Sequence, residues 1–187
     1  MLPEISLNVL DIVQNSIRAK ASLIEITISR DIMRQLLTVI IKDNGCGMSA
    51  KQLKQVIDPF YTTRTTRKIG LGVPFFRQAA LITGGNFNME STIGSGTTIT
   101  AVFHTSNIDC MPLGDMNSTI LLLVTMNETI DFLYTYSNDN LSFSLDTREL
   151  RQILNGIPFS TPDVKEFIQD YLYEHQHEID TSSKSNS

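Results

Sequence analysis

Residues 36–48 have the sequence LLTVIIKDNGCGM, in which a hydrophobic segment leads directly into a polar, glycine-containing one. Leu36 to Lys42 is rich in β-branched residues, which predicts a buried strand. Asp43 to Gly47 has the composition of a turn and, taken alone, is most often an ordinary one. A carboxylate at the end of a buried strand can also accept a hydrogen bond from an exocyclic amine, the donor that distinguishes adenine. Glycines beside it let the backbone approach a flat ring closely.

The first helix carries a second group of polar residues. Apolar residues recur at helical spacing over residues 4–20, which predicts a helix there. Asp11 and Asn15 are four positions apart, so their side chains lie on one face of this helix. An amide oxygen is a suitable ligand for Mg²⁺, and a carboxylate one turn away can orient or deprotonate a water bound to the ion. Arg18, on the adjoining face, can reach a phosphate oxygen.

A third segment, residues 58–72, has no periodicity and predicts a loop that leads into a helix starting near Pro74. Gly70-Leu71-Gly72 ends this loop, and the backbone amides of a glycine-rich turn before a helix form an anion site suited to phosphates. The basic stretch from Arg64 to Lys68 can close over the phosphates as a lid. Each of the three segments is unspecific alone. Their order and spacing together indicate a nucleotide-binding protein.

The remaining pattern predicts α/β structure on both sides of these segments. The N-terminal part ends near His104 and is a mixed α/β layer structure, with strands expected at 23–29, 36–42, 86–92 and 97–103. Its further helices are expected at 50–57 and from Pro74 to Gly84-Gly85. In the C-terminal part we expect strands at 118–126, 130–137 and 141–145 and helices at 147–155 and 162–175. The apolar residues of this part can extend the first sheet, form a small domain or build a dimer interface.

Composition and charge limit the classes of function. The chain has 187 residues, 41% of them hydrophobic, which is enough for a packed core. Its net charge of −5 disfavours nucleic acids and membrane surfaces as partners, since phosphate contacts need a clustered excess of Lys and Arg. Cys46 and Cys110 lack metal-ligand spacing, so we expect reduced, unpaired thiols. The sequence has no signal-peptide pattern and no apolar stretch long enough to span a bilayer, so we expect a cytoplasmic protein.

Taken in order, the segments resemble the nucleotide-binding motifs of the GHKL superfamily. This group comprises the ATP-binding domains of sensor histidine kinases, anti-sigma-factor serine kinases, type II topoisomerases, mismatch-repair proteins and heat-shock chaperones. The resemblance covers roughly residues 5–104. Pro59-Phe60-Tyr61-Thr62-Thr63, followed by Gly70-Leu71-Gly72 and Gly94-Ser95-Gly96-Thr97, is most similar to the histidine-kinase branch. The chain as a whole resembles small stand-alone ATP-binding proteins encoded near iron-only hydrogenases.

The resemblance implies a fold and a set of site residues. The fold is a Bergerat-type α/β sandwich, a mixed sheet with helices on one face, plus a small C-terminal α/β appendage. Asn15 is implied as the Mg²⁺ ligand and Asp43 as the residue that binds the adenine amine. Asp11 stands where ATP-hydrolysing members carry a glutamate that activates water, which makes it the candidate catalytic residue. The implied ATP-contacting residues are Asn15, Arg18, Asp43, Gly45, Gly47, Met48, Phe60, Thr62, Thr63, Arg64, Lys68, Gly70, Leu71, Gly72 and Thr97.

Two departures from the family pattern leave two functions open. Lys68 occupies the place where the kinases usually have the first glycine of the phosphate loop, and no helix carries a phosphoacceptor histidine, so we do not expect a complete histidine kinase. The first function is a protein kinase acting in trans, with weak ATPase activity, on an unidentified protein substrate. The alternative is a nucleotide-gated regulatory module that binds a partner without phosphotransfer, and a homodimer is open for both.

The predicted organisation of the chain follows from these motifs and the polar connector. We expect an ATP-binding domain at 1–105, a connector at 106–117, an α/β appendage of unknown role at 118–178 and a disordered tail at 179–187.

Overall fold

The scaffold of the chain is a mixed β-sheet, seen in a computed structural model that describes residues 3–57 and 72–185. Its strands are β1 (Leu23–Asp31), β2 (Leu36–Asp43), β3 (Asn86–Thr92), β4 (Gly96–His104), β5 (Asp131–Asn138) and β6 (Leu141–Asp146). The helices in the described part are α1 (Ile5–Arg18), α2 (Ala50–Ile57), α3 (Gly72–Ile82), α4 (Met116–Met126), α5 (Thr147–Leu154) and α6 (Pro162–Ser185). The strands lie in the order β3-β4-β2-β1-β5-β6.

Alternation of apolar and polar residues gives the sheet one buried face. In β1 the side chains of Ile24, Ile26 and Ile28 are buried, while those between them are half-exposed. The antiparallel pairing of β1 with β2 places Ile41 opposite Ile26, and the parallel pairing of β1 with β5 places Tyr134 beside it. The pairs β2–β4, β3–β4 and β5–β6 are antiparallel. The buried residues of neighbouring strands therefore form one continuous apolar layer.

Helices cover this apolar layer, and the opposite face of the sheet is left to half-exposed, mostly polar side chains. Helix α1 buries Val9 and Val13 at helical spacing, and Phe76 of α3 packs on Phe103 of β4 with ring centroids 5.4 Å apart. Helix α6 packs on β5 and β6. The prediction of a Bergerat-type α/β sandwich, a mixed sheet with helices on one face, is confirmed.

Helix α4 corrects one predicted element. Residues 118–126 were expected to form a strand, but Met116–Met126 is helical. A continuous apolar run does not by its periodicity distinguish a buried strand from a buried helix. The deciding features are the spacing of the buried residues Ile120, Leu123 and Val124 and the N-cap Asp115, whose side chain accepts a hydrogen bond from the Ser118 backbone N–H at 2.9 Å.

Helix α6 corrects the predicted end of the chain. The last helix was expected to end at residue 175 and disorder to begin at 179, but the helix continues to Ser185. Asp180 Oδ1 accepts hydrogen bonds of 2.8 Å from both the Tyr136 hydroxyl and the Asn138 amide, and lies 3.5 Å from the Arg30 guanidinium. Burial raises the pKa of Tyr136 to about 12, so this hydroxyl keeps its proton and donates. These contacts tie the end of the helix to the sheet.

The other predicted helices and strands begin and end within two residues of those observed. Among the placements left open for the C-terminal apolar residues, β5 and β6 extend the sheet of the N-terminal part. The division of the chain at residues 105, 117 and 178 into domain, connector and appendage stays a prediction. Within residues 3–57 and 72–185, no helix has both the length and the hydrophobicity needed to cross a membrane.

Candidate functional site

The cavity of interest has a volume of ≈ 250 Å³ and is lined by residues of α1, the loop after β2, α2, α3, β3 and β4. Its walls are mainly apolar, with a few polar groups among them, as in most small-molecule sites. The residues that line it are Ile12, Asn15, Ser16, Arg18, Ala19, Asp43, Cys46, Gly47, Met48, Val56, Val73, Met89, Thr97 and Ile99.

Asp43 is the buried charge of this cavity. It is the last residue of β2 and is 8% exposed. The Ser16 hydroxyl of α1 donates to Asp43 Oδ2 at 2.7 Å, and the Gly45 backbone N–H donates to Asp43 Oδ1 at 2.9 Å. A buried carboxylate needs such partners, because an unpaired one would cost several kcal/mol. A carboxylate has about four acceptor positions, so Asp43 can accept further hydrogen bonds from a ligand.

The loop after β2 is held in place by hydrogen bonds to its neighbours. The Asn44 side-chain oxygen accepts from the backbone N–H groups of Ser22 and Leu23 at 2.9 Å, and the Cys46 N–H donates to the Ala19 carbonyl at 2.9 Å. Gly47 has a φ of +63°, and a Cβ there would overlap the backbone carbonyl of Thr92. Only glycine fits at this position, which explains its place in the motif.

A group of hydroxyls joins the same loop to the turn between β3 and β4. The Ser91 hydroxyl oxygen accepts from the Met48 backbone N–H at 2.9 Å and donates to the Gly96 carbonyl at 2.9 Å. The Thr97 hydroxyl lies 2.9 Å from the same oxygen. Thr97 is the direct cross-strand neighbour of Asp43, so both side chains lie on the cavity side of the sheet.

Asn15 and Arg18 form the polar side of the cavity on α1. The Arg18 guanidinium donates to Asn15 Oδ1 over 3.3 Å, a long hydrogen bond between exposed groups. In the described part of the chain, no cluster of three or more His, Cys, Asp or Glu side chains is arranged to hold a metal ion. A metal at this place would therefore need an oxygen from Asn15 together with oxygens from a ligand and from water.

Asp11 contacts the start of α3. Its carboxylate lies against Gly72, the first residue of that helix, and a Cβ on Gly72 would overlap Asp11 Oδ2. A carboxylate is favoured near a helix N-terminus, where unpaired N–H groups give a positive end. Asp11 is not among the residues that line the cavity, so it lies beside the cavity and not in its wall.

The structure brings six predicted site residues together around the cavity, namely Asn15, Arg18, Asp43, Gly47, Met48 and Thr97. Gly45 contributes through its N–H to Asp43, and Gly72 through its contact with Asp11. The other predicted positions, Phe60, Thr62, Thr63, Arg64, Lys68, Gly70 and Leu71, lie outside the described residues. The roles of all these residues toward a nucleotide stay predictions.

Sequence reasoning missed several residues of the cavity. Ser16 follows Asn15 directly on α1, but nothing in the sequence indicates that its hydroxyl reaches a residue 27 positions away. Ile99 has a usable signal, because it lies two positions after Thr97 on a strand and therefore on the same face. Cys46 was expected only to be a free thiol, and it is also one of the residues that line the cavity.

Residues 4–107 match the family described as "Histidine kinase-, DNA gyrase B-, and HSP90-like ATPase". The chain belongs to this family. Among curated relatives of this ATPase domain, a putative sensor protein of Shewanella frigidimarina is 35% identical over 79 residues, which are 42% of this chain and 12% of that protein. The sensor histidine kinase WalK of Bacillus subtilis is 34% identical over 97 residues, which are 48% of this chain and 16% of that protein.

The chain therefore spans less than a fifth of the length of these two curated relatives. A solved structure, the N-terminal domain of a DNA repair protein, superposes on 78% of this chain and 53% of its own with a TM-score of 0.53. At 15% identity this likeness concerns the fold alone. What this chain shares with its curated relatives is a GHKL-type ATPase domain, related to those of histidine kinases.

Proposed function

We propose that this protein binds ATP together with Mg²⁺ in the cavity beside Asp43 and acts as a protein kinase in trans, with weak ATP hydrolysis. The observation that carries the proposal is the buried Asp43 carboxylate, fixed by Ser16 and Gly45 at the wall of a mainly apolar cavity. Such a group recognises an N–H donor on a flat apolar ring, and the adenine amino group is that donor. The sensor kinases among the relatives support the choice of phosphotransfer as the chemistry.

The size of the cavity supports a binding mode in which the base lies inside the cavity and the phosphates lie outside it. A volume of ≈ 250 Å³ is below the range of about 300–1,000 Å³ that is usual for ligand pockets, so it suits the ring and not the whole nucleotide. Met48, Met89 and Ile99 supply apolar contacts for the ring. The triphosphate then extends toward Asn15 and Arg18, where an exposed guanidinium can pair with phosphate oxygens.

Asn15 on α1 can supply one oxygen ligand to a magnesium ion that the triphosphate also binds. Mg²⁺ takes oxygen ligands and keeps several waters, so one amide oxygen from Asn15 and the phosphate oxygens suffice. The 3.3 Å hydrogen bond from Arg18 to Asn15 Oδ1 is weak enough to be given up when Arg18 turns to a phosphate. A bound Mg²⁺ would offset part of the negative charge of the triphosphate.

Asp11 is the proposed catalytic residue. Its carboxylate lies at the N-terminus of α3, an end of the helix that also attracts phosphates. In hydrolysis the oxygen of a water forms a bond to the γ-phosphorus while the bond to the β–γ bridging oxygen breaks, and ADP leaves. Asp11 accepts the proton of that water, directly or through a second water. In phosphotransfer a hydroxyl or imidazole of the partner takes the place of the attacking water.

The test uses ATP labelled at its γ-phosphate, incubated with the protein alone and with cell extract. Label on a protein of the extract supports a kinase, and release of free phosphate alone supports an ATPase. Binding of ATP with neither product would favour the alternative, a nucleotide-gated interaction module. The Asp11→Asn variant is the matched control, because label or phosphate produced by a contaminant does not depend on this residue.

A further inference from the structure

The Ser91 hydroxyl is the centre of a hydrogen-bond group at one wall of the cavity. It lies 2.9 Å from three partners, which are the Met48 backbone N–H, the Gly96 carbonyl and the Thr97 hydroxyl. A serine hydroxyl has one hydrogen to donate and two lone pairs that accept. Three partners therefore use its whole capacity, provided that one of them accepts and two donate.

The chemistry of the partners fixes the direction of each hydrogen bond. A carbonyl can only accept, so the Ser91 hydrogen must point to Gly96, and a backbone N–H can only donate, so Met48 uses one lone pair. The second lone pair is left for Thr97, whose hydroxyl must then be the donor. With its only hydrogen turned to Ser91, Thr97 Oγ1 presents nothing but lone pairs to the cavity.

The same reasoning applies to the two other side chains at this end of the cavity. Asp43 is a carboxylate and only accepts, and Ser16 has its hydrogen directed to Asp43 Oδ2 at 2.7 Å. Asp43 and Thr97 face each other on neighbouring strands, within reach of one small group of a ligand. These side chains together offer acceptors and no donor.

We infer that Ser91 is a specificity-determining residue for the base, because it holds Thr97 as an acceptor beside Asp43. An amino group with two hydrogens can donate one to Asp43 and the other to Thr97, directly or through a water. A carbonyl at the same ring position meets two acceptors and has no donor. This inference rests on the proposed function. Part of the selectivity for an amino-substituted purine then depends on Ser91, a residue that does not line the cavity.

The experiment compares ATP with inosine triphosphate, in which a carbonyl replaces the amino group of adenine and the adjacent ring nitrogen, N1, carries a hydrogen. Dissociation constants for both are measured on the wild type, Ser91→Ala and Ser91→Thr. In Ser91→Ala the Thr97 hydroxyl is free to turn its hydrogen toward the cavity, so we expect the preference for ATP to fall about three- to tenfold. Ser91→Thr keeps a hydroxyl at this place and should keep the wild-type preference.

A second pair of variants separates this role from a merely structural one. Thr97→Val removes the acceptor and should itself reduce the preference for ATP. In the Thr97→Val background, Ser91→Ala should leave the ratio of the two constants unchanged, since no hydroxyl remains to be turned. The inference would be overturned if Ser91→Ala weakened the binding of ATP and of inosine triphosphate equally. It would also be overturned if Ser91→Ala reduced the preference for ATP as much in the Thr97→Val background as in the wild type. A wild type that binds neither nucleotide would instead overturn the proposed function, and the inference with it.

Discussion

The Ser16 hydroxyl donates a 2.7 Å hydrogen bond to Asp43 Oδ2 and so joins α1 to the end of β2. Both residues are buried, with Ser16 at 4% and Asp43 at 8% exposed. This hydrogen bond orients the carboxylate and offsets part of the free-energy cost of burying it. It also connects the two halves of the proposed site, because Asn15 precedes Ser16 on the same helix.

Removing the Ser16 hydroxyl is expected to weaken ATP binding without abolishing it. Ser16→Ala leaves one oxygen of Asp43 with fewer partners and a less defined orientation, so we expect a loss of about two- to tenfold in affinity. Ser6→Ala is the matched control, since Ser6 is a buried serine on the same helix that donates to Glu4 and does not line the cavity. Titration calorimetry of both variants with ATP checks this prediction. Equal losses of affinity in the two variants would mean that Ser16→Ala acts through the stability of α1 and not through Asp43.

Asn15 is expected to matter for the metal more than for the nucleotide. Asn15→Ala should weaken binding of ATP with Mg²⁺ much more than binding of ATP in the presence of a chelator. Asn15→Asp keeps an oxygen ligand and should retain most of the magnesium dependence. Affinities measured with and without the ion decide the matter. Equal losses under both conditions would place Asn15 outside the metal site.

Asp11 is expected to act on turnover and not on affinity. General-base assistance contributes about 10²–10⁴-fold in rate, so Asp11→Asn should reduce phosphate release by that order while the affinity for ATP stays within a few-fold. Steady-state phosphate release and calorimetry on the same preparation give both numbers. Wild type and variant releasing phosphate at the same measurable rate would mean that Asp11 has no catalytic part.

Gly72 is expected to act through Asp11. A Cβ at position 72 overlaps the Asp11 carboxylate, which is the movable end of a side chain, so Gly72→Ala should displace it and leave the fold intact. Phosphate release should then fall nearly as far as in Asp11→Asn. In an Asp11→Ala background, Gly72→Ala should have little further effect on the rate. A large additional loss there would show that residue 72 acts on the nucleotide without Asp11.

The parts of this structure that could be predicted from sequence are those with local signals. The alternation in β1 and the β-branched run of β2 define a buried face, and the turn after Asp43 follows from its glycines. The predicted cavity residues on α1 follow from helical spacing alone, because positions three and four apart share a face. These local signals place Asn15 and Arg18 on α1 and Asp43 at the end of β2, and the order of the segments together with the resemblance to the GHKL motifs predicts that the three residues share one site.

The parts that could not be predicted depend on contacts between distant residues. Ser16 and Asp43 are 27 positions apart, and nothing in the sequence signals their hydrogen bond. The parallel pairing of β5 with β1 joins residues more than 100 positions apart. The apolar run of α4 has no distinguishing period in the sequence, and its helical state shows only in which of its residues become buried and in the N-cap at Asp115. The end of α6 is ordered by Asp180, whose partners lie on β1 and β5.

Calorimetric titration of the wild type and of Asp43→Ala with ATP and with GTP, all in the presence of Mg²⁺, tests the central claim most directly. The wild type should bind ATP and bind GTP poorly, because GTP presents a carbonyl to the carboxylate. Asp43→Ala should lose about ten- to a hundredfold in affinity for ATP, as expected for a buried hydrogen bond to a charged group of about 1.5–3 kcal/mol, with an unchanged circular dichroism spectrum. Tight binding of GTP by the wild type, or undiminished binding of ATP by a folded Asp43→Ala, would contradict the account.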